Sequence, residues 1–221
     1  DERFEHVLAA AGRRPNLDGL GLDAAGIDLD DRGRPVSDPR TLQLGDAPVF
    51  LAGDAAGHRP LLHEASDEGR IAGANAASWP DVQARPRRTP LAVAFTDPQI
   101  ALVGRRFADL DRQEIEIGEV SYADQGRARV MGVNQGLVRL YADRASCRIV
   151  GGELFGPRME HMAHSLAWIL QQGLTPTDAL GLPFYHPVLE EGIRTALRDL
   201  AARLQITGRC LPGDCADAPG E

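Results

Sequence analysis

The second half of the chain changes from strand-like to helix-like sequence, and this order constrains the fold more than any other feature. Residues 91–156 contain five short apolar runs: LAVAFT, QIALVG, EIEIGEVSYA, GLVRLYAD and CRIVGGELFG. EIEIGEVSYA alternates apolar and polar residues, as a half-buried strand does. After residue 156, apolar residues recur at steps of three and four, the spacing of a helix face. Strands followed by segregated helices predict an α+β domain, an antiparallel sheet flanked by helices.

Three helices are predicted after the strands. The first stops at Gly173, and Thr175 and Pro176 then suit the N-cap and first position of a short second helix. The third helix is predicted to begin with Pro187 in its first turn and His186 at its N-cap. Its apolar stripe comprises Leu189, Ile193, Leu197, Leu200 and Leu204.

A domain boundary is predicted within WPDVQARPRRTP, residues 79–90, because this stretch is rich in Pro and Arg and poor in apolar residues. Before it, HVLAAAG and PVFLAGD are strand-like and HEASDEGRIAGANAA is helix-like, a partial α/β pattern. We therefore predict a first region at residues 1–84, the α+β domain at residues 85–206, and a flexible tail at residues 207–221.

Composition excludes several classes of partner. The net charge is −8, and no basic cluster is present, which argues against nucleic acid. No apolar run reaches membrane-spanning length, and the first residues do not resemble a signal peptide. The chain also begins without Met, so we expect it to be a piece of a longer protein.

The three cysteines favour a cytoplasmic location over a secreted disulfide framework. Cys147 is predicted to be an inert core residue. Cys210 and Cys215 are spaced closely enough for a small disulfide loop, but two incidental thiols in a tail are favoured. His161 and His164 lie three apart without an evident third ligand, so no metal site is predicted.

Two stretches could carry chemistry, and each also has a simpler explanation. Asp54 follows the apolar run PVFLAG, a position at which open α/β sheets bind ligands; an Asx-turn is at least as good an explanation. His186 precedes Glu190 and Glu191, and a carboxylate bonded to one ring nitrogen would fix the tautomer for acid–base work. Simple helix capping explains the same residues.

Five motifs in the same order resemble the flavin-dependent pyridine nucleotide–disulfide oxidoreductases, with dihydrolipoamide dehydrogenase as the nearest member. The motifs are VLAAAGRRPN, VFLAGDAAGHRPLLHEASDEG, AFTDPQIALVG, GRARVMGVNQGLVRLYADRASCRIVGGELFGPRMEHM and HPVLEE. The resemblance implies that residues 1–84 are a remnant of the NAD- and FAD-binding domains. It also implies that residues 85–206 are the dimerisation domain. GPRMEHM departs from the family's usual GPxAxE.

The resemblance also implies roles for individual residues. His186 corresponds to the family's catalytic base, and Glu191, rather than Glu190, corresponds to its carboxylate partner. Cofactor-binding roles are implied for Gly12 near NAD, for Asp54 at the ribityl chain of FAD, and for a segment along the flavin that comprises Pro60, Leu61, Leu62 and His63.

We therefore expect the chain to be the C-terminal part of an enzyme that moves electrons between a dithiol, such as a lipoyl group, and NAD(P). FAD and a cysteine pair outside this chain would carry them. The chain is expected to form a homodimer and to bind no cofactor alone. Two alternatives remain open, namely an isolated dimerisation module without catalysis and a related flavoenzyme that reduces a metal ion or a quinone.

Overall fold

The structure, a computed structural model, describes residues 2–206 and divides into two compact units, Asp1–Arg87 and Arg88–Glu221. Cys210 and Cys215, like the predicted tail, lie outside the described residues. No helix in the described part of the chain is long and apolar enough to cross a membrane.

The first unit has one long helix and little regular strand. Helix α1, Leu62–Ser78, matches the predicted helix, and its residues Ile71 and Ala72 pack with Leu42 in a small core. The predicted strand at residues 6–12 is wrong, because these residues form no element and are exposed. PVFLAGD forms a single bridge, from Phe50 to Gln43, before a short 3₁₀ turn. Among the described residues, neither segment has a neighbouring strand that could satisfy a full hydrogen-bond ladder.

The second unit is built on a five-stranded antiparallel sheet, which confirms the predicted fold class. The strands are β1 (Leu91–Ala94), β2 (Gln99–Gly104), β3 (Ile115–Ser121), β4 (Leu137–Asp143) and β5 (Ile149–Gly156). Their order across the sheet is β1-β2-β5-β4-β3, with β4 and β5 paired as the predicted hairpin.

In the described part of this unit, four helices accompany the sheet: α2 (Gly126–Met131), α3 (Met159–Gln171), α4 (Pro176–Leu180) and α5 (Glu191–Ile206). Helix α4 has the predicted cap, since Thr175 and Asp178 form a reciprocal capping box. Helix α2 was not predicted, because six residues are too few to show helical periodicity. Its N-cap, Gln125, accepts a hydrogen bond from Ala128 N.

Helices α3 and α5 cover one face of the sheet. Gly118, Leu140 and Gly152 pair across β3, β4 and β5 and therefore point to the same side. A Cβ at Gly152 would meet Leu166 of α3, and one at Gly118 would meet Leu200 of α5. The core between these layers is almost fully buried and includes Leu140, Leu154, Met162, Leu166, Ile193, Leu197 and Leu200.

The third predicted helix starts later than its sequence indicated. It begins at Glu191, so His186 is not an N-cap and Pro187 is not in the first turn. Residues 189–190 form a turn, in which Gly192 N–H donates to Leu189 O at 3.0 Å. The residue before a proline is driven away from helical backbone angles, which agrees with a non-helical His186.

Cys147 also differs from its prediction as an inert core thiol. It lies in the turn between β4 and β5, half-buried against the core, with a positive φ of 56°.

The close contact of α5 with the sheet predicts the effect of adding one methyl group. A Cβ at Gly118 would lie 2.4 Å from Ala196 O and 2.5 Å from Leu200 Cβ. We expect Gly118→Ala to lower the free energy of unfolding by about 1–3 kcal/mol through overpacking. Urea denaturation followed by circular dichroism measures the change.

Gly126 provides the matched control, because an added Cβ there meets nothing within 4 Å. Gly126→Ala should leave the free energy of unfolding unchanged or raise it by up to about 1 kcal/mol. Equal losses in the two variants would contradict the tight contact.

Candidate functional site

His186 and Glu191 form a hydrogen-bonded pair at the start of α5. His186 Nδ1 lies 2.9 Å from Glu191 Oε1, and Val188 N–H donates to Glu191 Oε2 at 3.0 Å. Both carboxylate oxygens are therefore held, one by the imidazole and one by the backbone that joins the two residues. Glu190, the neighbouring carboxylate, makes no hydrogen bond to His186 among the described contacts.

The Glu191 side chain is ionised at neutral pH, as an acceptor for the imidazole N–H must be. Partial burial tends to raise its pKa, but the hydrogen bonds from His186 and Val188 outweigh this effect and hold the pKa below its usual value. Its position in the first turn of α5 also places the negative charge at the positive end of the helix dipole. The carboxylate is therefore a stable acceptor for Nδ1–H.

The imidazole is open to a reacting partner. The His186 side chain is 81% exposed, whereas that of Glu191 is only 24% exposed. With Nδ1–H donated to the carboxylate, Nε2 is the ring nitrogen available to exchange a proton. A fixed, exposed imidazole backed by a carboxylate has the arrangement of a general base with its orienting group.

In the first unit, the buried carboxylate of Glu68 holds the Gly53–Asp54 turn by a hydrogen bond. Gly53, which has a φ of 74°, donates its N–H to Glu68 Oε2 at 2.7 Å. Glu68 is fully buried, and its other oxygen accepts from Arg87 at 2.8 Å. The backbone before Asp54 is thus fixed, while the Asp54 side chain remains half-exposed.

The contacts of Glu68 with Gly53 and Arg87 were not predicted from the sequence. Glu64 and Glu68 lie four apart on the buried face of α1 with Ile71 and Asn75. Two carboxylates on a buried helix face require partners, and Arg87 Nη2 reaches both, at 2.7 Å from Glu64 and 2.8 Å from Glu68. The i,i+4 spacing of glutamates on an otherwise buried face was the available signal.

The other predicted cofactor residues lie on the surface of the first unit. Gly12, with a φ of 83°, is exposed, and the neighbouring Arg13 reaches Asp54 Oδ2 at 3.1 Å. Leu62 begins α1 and is 88% exposed. Around it, Pro60 and His63 are exposed and Leu61 is half-buried. Among the described residues, no cluster of three or more His, Cys, Asp or Glu could hold a metal ion.

Comparison with known proteins identifies the second unit. Residues 91–197 match the family described as pyridine nucleotide-disulphide oxidoreductase, dimerisation domain. The second unit is such a domain. His186 and Glu191 both fall within the matched residues.

Similar proteins extend the likeness across most of the chain. Dihydrolipoyl dehydrogenase of Bacillus subtilis (strain 168) is 34% identical over 197 residues, 88% of this chain and 42% of the relative. The Haloferax volcanii enzyme of the same name is 33% identical over 201 residues, 88% of this chain and 41% of the relative. Among solved structures, LpdA from Mycobacterium tuberculosis has a TM-score of 0.71 at 27% identity, covering 83% of this chain and 40% of that one. The chain thus spans about two fifths of these relatives' length.

The lowered pKa of Glu191 predicts an acid-dependent contribution to stability. The carboxylate is favoured in the folded state, so its contribution is complete above the ordinary value of 4.5 and is lost as the pH falls through the lower folded pKa. Glu191→Gln should therefore lower the free energy of unfolding by about 1 kcal/mol at neutral pH. The difference from wild type should shrink in acid. Urea denaturation at a series of pH values measures both effects.

Glu190→Gln makes the same chemical change one residue earlier and leaves both hydrogen bonds of Glu191 in place. It should keep the wild-type stability at neutral pH within about 0.5 kcal/mol. A Glu191→Gln deficit that stays constant into acid would contradict the assignment.

Proposed function

We propose that this chain is part of an FAD-dependent disulfide oxidoreductase similar to dihydrolipoyl dehydrogenase, in which His186 is the acid–base group. The observation that carries the proposal is the His186–Glu191 pair, held at 2.9 Å within a domain of this family. The reaction would oxidise a dithiol, such as a lipoyl group, to a disulfide. Its two electrons would pass through a cysteine pair outside this chain and FAD to NAD(P).

In this reaction His186 would take the proton of the dithiol. A thiol must lose its proton to attack a disulfide, and the exposed Nε2 supplies a base for that proton. Glu191 would keep the imidazole in the tautomer with hydrogen on Nδ1 and would stabilise the imidazolium that forms. As in the family, the pair would serve the flavin and cysteines of the second subunit.

The residues of the first unit fit a flavin, which supplies the redox chemistry when bound. Asp54 presents a half-exposed carboxylate on a turn fixed by Glu68, which suits an acceptor for ribityl hydroxyls. We propose that the segment comprising Pro60, Leu61, Leu62 and His63 lies along the flavin. We also propose that Gly12 lies near the bound NAD. Residues 1–84 would then be the remainder of the FAD- and NAD-binding domains, residues 85–206 the dimerisation domain, and the cytoplasm the compartment.

We also propose a homodimer with its contact on the outer face of α3. The name of the domain family implies self-association, and an exposed indole indicates where. Trp168 is 68% exposed and packs edge-on against the His164 ring at 6.5 Å. His161 continues the same exposed stripe. Tryptophan is enriched at protein interfaces and costly to leave in water.

Replacement of His186 by Gln tests the catalytic proposal in the flavin-containing enzyme. We expect dithiol turnover to fall by about 10²–10⁴-fold, the usual contribution of a positioned acid–base group, while bound flavin stays at the wild-type level. Steady-state rates and the flavin absorbance measure the two quantities.

His6→Gln, at an exposed histidine of the first unit, is the control and should turn over normally. Near-normal dithiol turnover by the His186→Gln variant would rule out the proposed role.

The dimer contact is tested by Trp168→Arg. Wild type should sediment at twice the 23.8 kDa chain mass, and the variant should dissociate at protein concentrations at which wild type remains dimeric, since a charge replaces the aromatic contact. Trp79→Arg, at the chain's other, half-exposed tryptophan, should remain dimeric. A monomeric wild type, or equal dissociation of both variants, would contradict the proposal.

A further inference from the structure

The loop that joins His186 to Glu191 is anchored by a buried tyrosine. Tyr122 is fully buried, and its hydroxyl donates to Leu189 O at 2.8 Å, with Met162 Sδ also 2.8 Å from the hydroxyl oxygen. Burial, together with a smaller effect of the charge of Glu190, raises the pKa of the Tyr122 hydroxyl. The phenol therefore stays protonated at neutral pH and remains a hydrogen-bond donor.

A second side chain holds the preceding carbonyl of the same loop. Gln125 Nε2 donates to Val188 O at 2.8 Å. Its Oε1 is already committed, because it accepts from Ala128 N at 2.6 Å as the cap of α2. The amide is thus fixed by helix α2 on one side and presents its NH₂ group to the loop on the other.

The approach of Tyr122 to the loop depends on a glycine. A Cβ at Gly192 would lie 2.2 Å from the Tyr122 hydroxyl oxygen. Gly192 directly follows Glu191, so the absence of a side chain there lets the phenol reach Leu189 O beneath the first turn of α5. Two consecutive carbonyls, those of Val188 and Leu189, are therefore held by side chains from the β3–α2 connection.

We propose that Tyr122 and Gln125 are positioning residues for the His186–Glu191 pair. Among the described contacts, neither residue makes a hydrogen bond to His186 or Glu191. They hold the backbone of Val188 and Leu189, and Val188 N–H is in turn bonded to Glu191 Oε2. Since His186 is 81% exposed and has little packing of its own, the loop backbone and the carboxylate determine where its imidazole points. This inference rests on the proposed function only for its effect on turnover.

Two variants remove the two anchors with small changes in shape. Tyr122→Phe deletes the hydroxyl but keeps the ring in the core, and Leu189 O keeps the Gly192 N–H at 3.0 Å. Gln125→Glu keeps an oxygen to cap Ala128 but replaces the donor to Val188 O with an acceptor. Tyr141→Phe is the matched control, since Tyr141 is also fully buried and its hydroxyl donates to Glu153 at 3.0 Å, away from this loop.

The first readout is the geometry of the pair in the full chain. Nitrogen-15 NMR of histidine-labelled protein reports the His186 tautomer, and carbon-13 NMR of the glutamate carboxyls reports the titration of Glu191. In Tyr122→Phe and Gln125→Glu, we expect the Nδ1–H tautomer to lose population and the Glu191 pKa to rise towards its ordinary value. Tyr141→Phe should match wild type.

The second readout is turnover in the flavin-containing enzyme. Both loop variants should lower kcat for the dithiol by about tenfold to hundredfold, as misplaced catalytic groups do, with KM little changed. NADH-driven reduction of an artificial acceptor that takes electrons directly from the flavin should keep its wild-type rate, because it requires no proton transfer by His186.

The outcomes separate this inference from the proposed function. An unchanged tautomer and an unchanged Glu191 titration in both loop variants would overturn the positioning role, as would an equal change in Tyr141→Phe. If the NMR changes occur as expected but His186→Gln has normal dithiol turnover, the positioning role stands and the proposed function falls.

Discussion

The contact between α5 and the sheet is the interaction on which the candidate site depends. At Gly118 the helix comes so close to β3 that even a methyl group would clash with Ala196 and Leu200. The buried stripe of α5 fixes its rotation about its own axis, because turning the helix would expose that stripe. Glu191 is the first residue of α5, so its position is fixed together with that of the helix. Its carboxylate can therefore hold the His186 imidazole in one orientation.

Buried and partly buried polar side chains also hold irregular backbone within each unit. In the second unit, Tyr122 and Gln125 hold carbonyls of the loop before α5. In the first unit, Glu68 holds the N–H of Gly53. A buried donor or acceptor without a partner is costly, so each of these groups specifies one loop conformation. The side chains of the two candidate sites, His186 and Asp54, remain exposed on backbone that these interactions hold.

Much of the second unit was predictable because its local signals agree with its tertiary structure. Strand alternation, the Thr175 cap and the apolar stripe of α5 all gave elements that the structure contains. The predictions were wrong where a segment's structure depends on contacts with distant residues, which the local sequence pattern does not encode. Residues 6–12 are apolar but find no strand to pair with among the described residues. The start of α5 is set by the loop contacts of Leu189 rather than by Pro187.

The sequence by itself determined the class of fold, the family resemblance and the two residues of the candidate pair, because these depend on residue type and spacing. It left capping and acid–base chemistry as competing explanations for His186. Only the tertiary structure decided that His186 is outside α5 and bonded to Glu191. The position of His186 depends on the loop before α5, which Tyr122 and Gln125 hold through its carbonyls. These two residues lie more than sixty positions before His186 in the chain, so a local sequence pattern does not reveal their contacts.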